Sequence, residues 1–417
     1  MGTVAVAVAT PLTTREVLGI RVVRRMWYAL IISTFGDFLA LFAVLSIVSF
    51  KMHANAEQVT WVQIASLLPI VLMGPLAGVF VDRWPLKSTL VLSDVARAAL
   101  TLLLLAATHL WHFYLILALI SIVSGFFGPA QQCTIRTSVP EEGIMAAGAV
   151  MQQAIFLVRV IAPAIAGFLV ASFGAFSCYL IDSVSFLGSA LLIGSTTILR
   201  RAPLVEEAQE DTATGVRKVW LDMRVGLDFI VHHRAILFVI LALAAAVFTL
   251  GCFAPLIAIY VRECLGGSTR LFGIASSMIG VGILGGFFAV QQLAKRYSNQ
   301  ALVFGGLIGM AAGLILLAAI PDTAFTILAA FSIGFSVAGI LLPAQTLLQV
   351  ETPEELLGRV ASTALSIVFG AQILGLFLSG LLTKFVGVRQ VFFVSAIFLL
   401  GLVLMGRLSL HRRQTTR

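Results

Sequence analysis

Five ionisable residues interrupt long apolar runs of this sequence: Asp37, Asp94, Arg97, Arg159 and Asp182. In hydrocarbon each would cost ~2.5–3.5 kcal/mol unless paired or wetted, so each is a functional candidate by default. Three acids against two bases leave one carboxylate without a guanidinium. Such a group can hold a proton near neutral pH, which is the chemistry of proton coupling. Asp37 is the candidate for it, about 11 residues into its apolar run, or ~16 Å at the helical rise, close to mid-depth. The alternative for Asp37 is a helix–helix hydrogen bond of purely structural use. Asp94 and Arg97 are three apart and meet on one helix face, where an ion pair would brace the bundle. Arg159 and Asp182 fall at similar depth on consecutive helices and are a possible second pair.

The elements that must position these groups follow from composition. The chain has 417 residues, 60% hydrophobic and 11% charged, with a mean hydropathy of +1.06. A soluble chain carries about 25% charged residues, so a soluble enzyme, a disulfide scaffold and a disordered protein are excluded. Apolar stretches of ~20 residues predict twelve membrane-spanning helices, an all-α polytopic membrane protein. They cover residues 26–50, 59–81, 88–108, 111–138, 143–172 and 175–199, then 235–261, 270–294, 300–320, 323–350, 358–384 and 388–408.

Twenty of the 27 Lys and Arg fall in the termini and the loops on the same side as them. Five (Lys51, Arg262, Arg270, Lys384 and Arg389) fall on the other side, and Arg97 and Arg159 lie within spans. That bias predicts cytoplasmic N- and C-termini in a cell (inner) membrane, and makes the net charge of +8 a topological signal with no nucleic acid implied. The predicted parts are an N-terminal segment (1–25), a six-helix half (26–199), a cytoplasmic linker (200–234), a second six-helix half (235–408) and a tail (409–417). The linker should hold an amphipathic helix around Val219, Trp220, Val225, Leu227 and Phe229. The N-terminal stretch lacks a basic leader, apolar run and cleavage site, so no signal peptide is expected. Four scattered cysteines, Cys133, Cys178, Cys252 and Cys264, suggest inert thiols and neither a metal site nor a cofactor.

The halves echo each other. Pro129-Ala130-Gln131 recurs as Pro343-Ala344-Gln345, and Pro140-Glu141-Glu142 as Pro353-Glu354-Glu355. Gly167 and Gly174 recur as Gly380 and Gly387, and Asp82-Arg83-Trp84 falls opposite Lys295-Arg296-Tyr297. The register is 213 residues, one more before a single-residue gap. Parallel six-helix repeats of this kind enclose a central cavity that can open to either side in turn.

With these motifs the chain resembles a major facilitator superfamily transporter. Gly74, Gly78, Asp82, Arg83 and Lys87 in GPLAGVFVDRWPLK are similar to the family's G-x-x-x-D-R-x-G-R-[RK] loop between spans two and three, which implies a cytoplasmic charge clasp. Pro85 and Leu86 depart from it, so the clasp is reduced. RVIAPAIAG in span five, with Ala162, Pro163 and Gly167, resembles the Gly-Pro motif of drug antiporters, with Ala162 where that motif has Gly. Together with Phe35-Gly36-Asp37, LSDVARA (Leu92–Ala98) and YLIDSVSF (Tyr179–Phe186), these resemble the drug:proton antiporter branch holding macrolide-efflux proteins and the enterobactin exporter. The resemblance implies a transporter, not an enzyme, that works as a monomer without ATP and exchanges protons for an amphipathic organic compound. Span four lacks the arginine that many such antiporters carry, and Arg97 or Arg159 could substitute. By resemblance, cavity helices one, four, seven and ten offer Phe35, Phe38, Phe42, Phe127, Phe248, Phe253, Phe331 and Phe335, only some of them lining a cavity.

Other motifs do not carry chemistry. Gly280 to Gly285 spells G-x-G-x-x-G, but lies in an apolar span without a preceding strand, and suggests a small-residue packing seam. No phosphate loop is present. A lipid or lysolipid transporter of the same superfamily remains an alternative. A membrane-embedded transferase acting on lipid-linked substrates is a further one, though it predicts no repeat between halves.

Overall fold

A computed structural model describes residues 12–81, 83–197 and 212–411. Among the described residues the chain is helical, without strands. A short helix α1 (Thr14–Gly19) precedes α2 (Arg21–Ser46), α3 (Ala56–Val81), α4 (Leu86–Leu103), α5 (Leu110–Ser138), α6 (Ile144–Phe173) and α7 (Ala175–Gly194). After α8 (Thr212–His232) come α9 (Arg234–Glu263), α10 (Thr269–Leu293), α11 (Asn299–Ala319), α12 (Thr323–Glu351), α13 (Glu354–Val386) and α14 (Val388–His411). All but α1 and α8 are long and apolar enough to span a bilayer, twelve in all. The helical form is dictated by the solvent, because hydrocarbon offers no partner to an open backbone group.

The expected spans are present, with shifted ends. The first begins at Arg21, so the basic N-terminal run is already helical ahead of the apolar stretch. Its far end widens into a π turn, Ile47–Lys51. The loosened carbonyls there find a donor: the Arg262 guanidinium bonds Ser49 O, and Ala54 O at 3.0 Å. The repeat is visible in the backbone. Pro129 and Pro343 sit inside α5 and α12, and Gly174 and Gly387 follow the last turns of α6 and α13 with φ of 78° and 82°. A left-handed φ of that kind is what makes glycine the residue for both helix ends.

Packing divides the chain into two compact units that interleave in sequence. The first comprises Met1–Ala43, Ala65–Ala162 and Phe173–Ala202. Its apolar cluster gathers Val17 of α1, Met26 of α2, Leu90 of α4 and Ile193 of α7. The second comprises Val44–Ile64, Pro163–Ser172 and Pro203–Arg417, so it takes in one end of α2, α3 and α6. A seam inside this second unit holds those ends to the later helices. Ser46 Oγ lies 2.9 Å from Thr269 Oγ1, and Thr60 Oγ1 3.3 Å from Ser379 Oγ. Gly167 meets Gly273 backbone to backbone, and Gly380 meets Glu57 and Thr60. Each of those two contacts is the other's image one repeat away.

The linker helix α8 packs on α13 through Gly226 and Ile230, with Val360 and Ala364 beneath. Val225 and Leu227, expected on its apolar face, are exposed instead, while Phe229 is half-buried. The packed stripe runs through Met223, Gly226 and Ile230, where glycine permits backbone contact that a larger side chain would block. The side chains of Val219 and Trp220 lie outside the described residues.

Candidate functional site

The site lies in the first unit, between α4 and α7. Two short stripes face each other there: Asp94, Arg97 and Thr101 on α4, and Asp182, Ser185 and Ser189 on α7. Each has the spacing i, i+3, i+7 of one helix face. The helices run antiparallel, so the acid of each stripe meets the last hydroxyl of the other. Ser189 Oγ donates to Asp94 at 2.6 Å, and Thr101 Oγ1 donates to Asp182 at 3.0 Å. Ser185 Oγ stands 3.5 Å from the Asp182 carboxylate, and Ser183 Oγ bonds the Ala98 carbonyl at 3.1 Å.

One guanidinium serves the cluster. Arg97 is ion-paired to Asp94 and reaches Asp37 of α2 at 3.8 Å. Phe127 and Phe186 sandwich it, each ring centroid 4.4 Å from the guanidinium carbon. Such stacking stabilises a cation where water is excluded. Arg97 Nε has no hydrogen-bond partner among the described residues. Gly36 allows α2 to come close enough: a Cβ there would collide with Asp182 Oδ1 and Ser185 Oγ.

Exposure separates the three acids. The Asp37 side chain is 41% exposed and that of Asp94 0%, while Asp182 is 1% exposed as a residue. Asp94 holds a permanent partner, Asp182 has only hydroxyls, and Asp37 shares a guanidinium already engaged. Full ionisation would leave three negative charges against one positive in a low-dielectric interior. Binding a proton at one acid relieves that imbalance. A proton on Asp37 would end its pull on Arg97 and leave the guanidinium to Asp94 alone.

Other expected site residues are placed elsewhere. Arg159, on α6, is exposed and has no ion pair among the described residues; Asp182 bonds Thr101, so that pair does not form. Equal depth was the basis for expecting it, but α7 turns its acid toward α4. Ala162 and Gly167 lie on α6 around Pro163, and the contact with Gly273 gives the small residues their use. Gly74 and Gly78 lie in the final turns of α3, Arg83 and Lys87 are exposed, and Asp82 falls outside the described residues. Phe127 covers Arg97. Phe253 is 2% exposed and packs on Phe392 at 5.5 Å, a core residue of the second unit. Phe248 packs on Phe398 at 5.6 Å, and Phe331 lies 6.1 Å from Phe335. Phe35 and Phe38 are half-buried and Phe42 is buried. The G-x-G-x-x-G segment of α10 is a packing seam: Gly282 faces the Phe331 backbone. Sequence reading missed Thr101 and Ser189, and it gave Gly36 and Phe186, which lie inside its motifs, no role at the site. The matching hydroxyl spacing on the two stripes was the signal available.

Twelve apolar helices, with a cluster of charges gathered between α2, α4 and α7, make a polytopic membrane protein of the major facilitator fold. The chain belongs to the transmembrane secretion effector family of that superfamily, whose profile matches residues 13–416. It is similar to the MFS-type transporter YfiS of Bacillus subtilis, 27% identical over 89% of each chain. Macrolide efflux protein A of Streptococcus pyogenes is 23% identical over 82% of this chain and 84% of its own. Multidrug resistance protein MdtG of Enterobacter lignolyticus is 25% identical over 82% and 80%. Solved structures share the fold. The nucleoside transporter NupG has a TM-score of 0.70 at 12% identity, covering 93% of this chain and 98% of that one. An inward-facing bacterial homologue of the lysosomal transporter Spinster has 0.69 at 12%, covering 94% and 96%. Relatives and fold alike are those of transporters, which are not enzymes.

Proposed function

We propose that the chain is a secondary active exporter of amphipathic organic compounds of drug, macrolide or siderophore type, driven by proton antiport across a cell (inner) membrane. The observation that carries it is the cluster of three carboxylates around Arg97. Asp37, the least enclosed of the three, is the proton-exchanging group, while Asp94 and Asp182 keep the helices registered. Efflux proteins among the relatives support the export direction and the substrate class. The two six-helix halves rock about the substrate with both termini cytoplasmic, and the monomer is the working unit.

Proteoliposomes with an imposed pH gradient test the reading. A cationic dye should accumulate against its gradient when protons run the other way, and a protonophore should abolish this. Asp37→Asn should keep gradient-independent dye exchange and lose the response to pH. Full proton-driven accumulation by Asp37→Asn would remove Asp37 from the coupling. For the rocking motion, a disulfide between Ser46→Cys and Thr269→Cys should stop transport until it is reduced, with the wild-type protein under the same oxidant as reference. Undiminished transport by the cross-linked protein would exclude an opening at that seam.

A further inference from the structure

The charge cluster leaves one intramembrane ion without a counter-charge. Arg159 stands half-way along α6, at a depth where an unpaired cation facing hydrocarbon is costly. Among the described residues it has neither an ion pair nor a hydrogen bond. The carboxylates of the neighbouring spans are taken: Asp94 and Asp37 meet Arg97, and Asp182 accepts from Thr101. The partner of Arg159 therefore has to come from water or from a ligand, not from another described span.

The faces of α6 show which way the arginine looks. Ala147, Met151, Ala154 and Val158 are buried and form the packed face. To one side of it Leu157 and Ile161, 47% and 42% exposed, make an apolar stripe fit for lipid. Gln152 and Arg159 are seven residues apart and both exposed. At about 3.6 residues per turn they share a face on the side of the helix opposite that stripe. Gly148 lies on the polar side one turn before Gln152, and a Cβ there would meet nothing within 4 Å. The space in front of this face is therefore open. Protein nevertheless crowds the Arg159 guanidinium enough to desolvate it. A side chain both crowded and accessible stands on a concave wall; the convex flank that lipid covers would leave it accessible and uncrowded.

We infer that Arg159 binds an acidic group, a carboxylate or a comparable oxyanion, on the amphipathic compounds that the chain carries. The guanidinium offers two parallel N–H donors to such a group, and Gln152 offers an amide about 10 Å further along the same face. Resting on the reading of the chain as an exporter, this adds a preference to it: an acidic amphiphile is held more tightly than its uncharged counterpart.

Equilibrium binding to the purified full chain in detergent tests this, with a fluorescent coumarin carboxylic acid and its uncharged methyl ester as probes. The wild-type chain should bind the acid about tenfold more tightly than the ester, as one charge-assisted hydrogen bond allows. Arg159→Gln should bind the two alike at the wild-type ester affinity, and Arg159→Lys should keep most of the preference. Failure of the wild-type chain to prefer the acid, or an undiminished preference in Arg159→Gln, would overturn the assignment. Should Arg159→Gln not fold, the wild-type chain still decides. Phenylglyoxal should modify Arg159, read by peptide mass spectrometry, and the acid but not the ester should protect it. An unreactive Arg159, or equal protection by both probes, would also overturn the assignment. Both readouts are taken without a pH gradient, so a loss of proton-driven accumulation, which counts against the coupling, leaves them unchanged.

Discussion

The helices of the two halves hold their neighbours by different means. In α4 and α7 the contact is polar, acid to hydroxyl at both ends and an arginine between. In α9 to α13 it is backbone against backbone. Gly282 of α10 faces Phe331 of α12, and Gly334 of α12 faces Ile279 of α10. Gly251 of α9 faces Gln372 of α13, and Gly375 answers against Phe248. Reciprocal glycines give close van der Waals packing in a solvent where apolar burial supplies no drive. A polar contact can be altered by one proton, and a glycine seam cannot. The half that carries buried acids and the half that packs through reciprocal glycines are therefore told apart by chemistry, although one repeat relates them.

The hardest test of this contrast is Arg97→Gln. It leaves three acids without a cation, and breaking a buried pair costs about 3–5 kcal/mol. Thermal unfolding in detergent should show the loss, and transport should cease. Asp94→Asn added to it should recover part of the stability, a coupling that a double-mutant cycle would measure. Additive effects would mean the arginine is not held by that acid.

Next in size is Gly334→Ala, whose new methyl group would run into the Ile279 carbonyl. Overpacking of this kind costs about 1–3 kcal/mol. Gly188→Ala on α7 meets nothing within 4 Å and should be neutral or stabilising by up to about 1 kcal/mol. The opposite order of melting temperatures would dissolve the contrast. A smaller effect, about 1 kcal/mol, is expected of Thr101→Val, which removes the donor to Asp182. Thr101→Ser should restore it, since the hydroxyl and not the methyl group makes the contact.

Much of this was legible in the residues. A bilayer requires each span to satisfy its own backbone, so apolar runs report the helices directly. Pro129 with Pro343 and Gly174 with Gly387 report the repeat, because proline and left-handed glycine are tied to particular backbone positions. The Asp94–Arg97 pair follows from helical spacing alone. What Arg97 does beyond α4 does not, since its reach to Asp37 depends on how α2 is rotated and on Gly36 allowing the approach. Arg159 shows the same limit from the other side: depth can be counted along a helix, but facing is set by packing against neighbours.

The smallest effect concerns an acid in water, and it sharpens what burial does to the others. Glu16 closes a capping box at the start of α1. The Thr13 backbone N–H donates to it at 2.8 Å and the Thr13 hydroxyl at 2.7 Å. These bonds, the backbone one first, hold the carboxyl below its ordinary value of 4.5. A depressed folded-state value means the cap is fully present above 4.5 and is lost as pH falls through the folded value. Lowering pH from about 6 to about 3 should therefore fray α1, read as faster amide exchange at Glu16 and Val17 after correction for the intrinsic rate. Thr13→Ala should fray it already at neutral pH and remove the pH response. Fraying on alkalinisation would show that the carboxylate is not the acceptor. In water a carboxylate is most useful ionised, as this cap requires; beside Arg97 three carboxylates gather about a single guanidinium, and full ionisation has no matching cation.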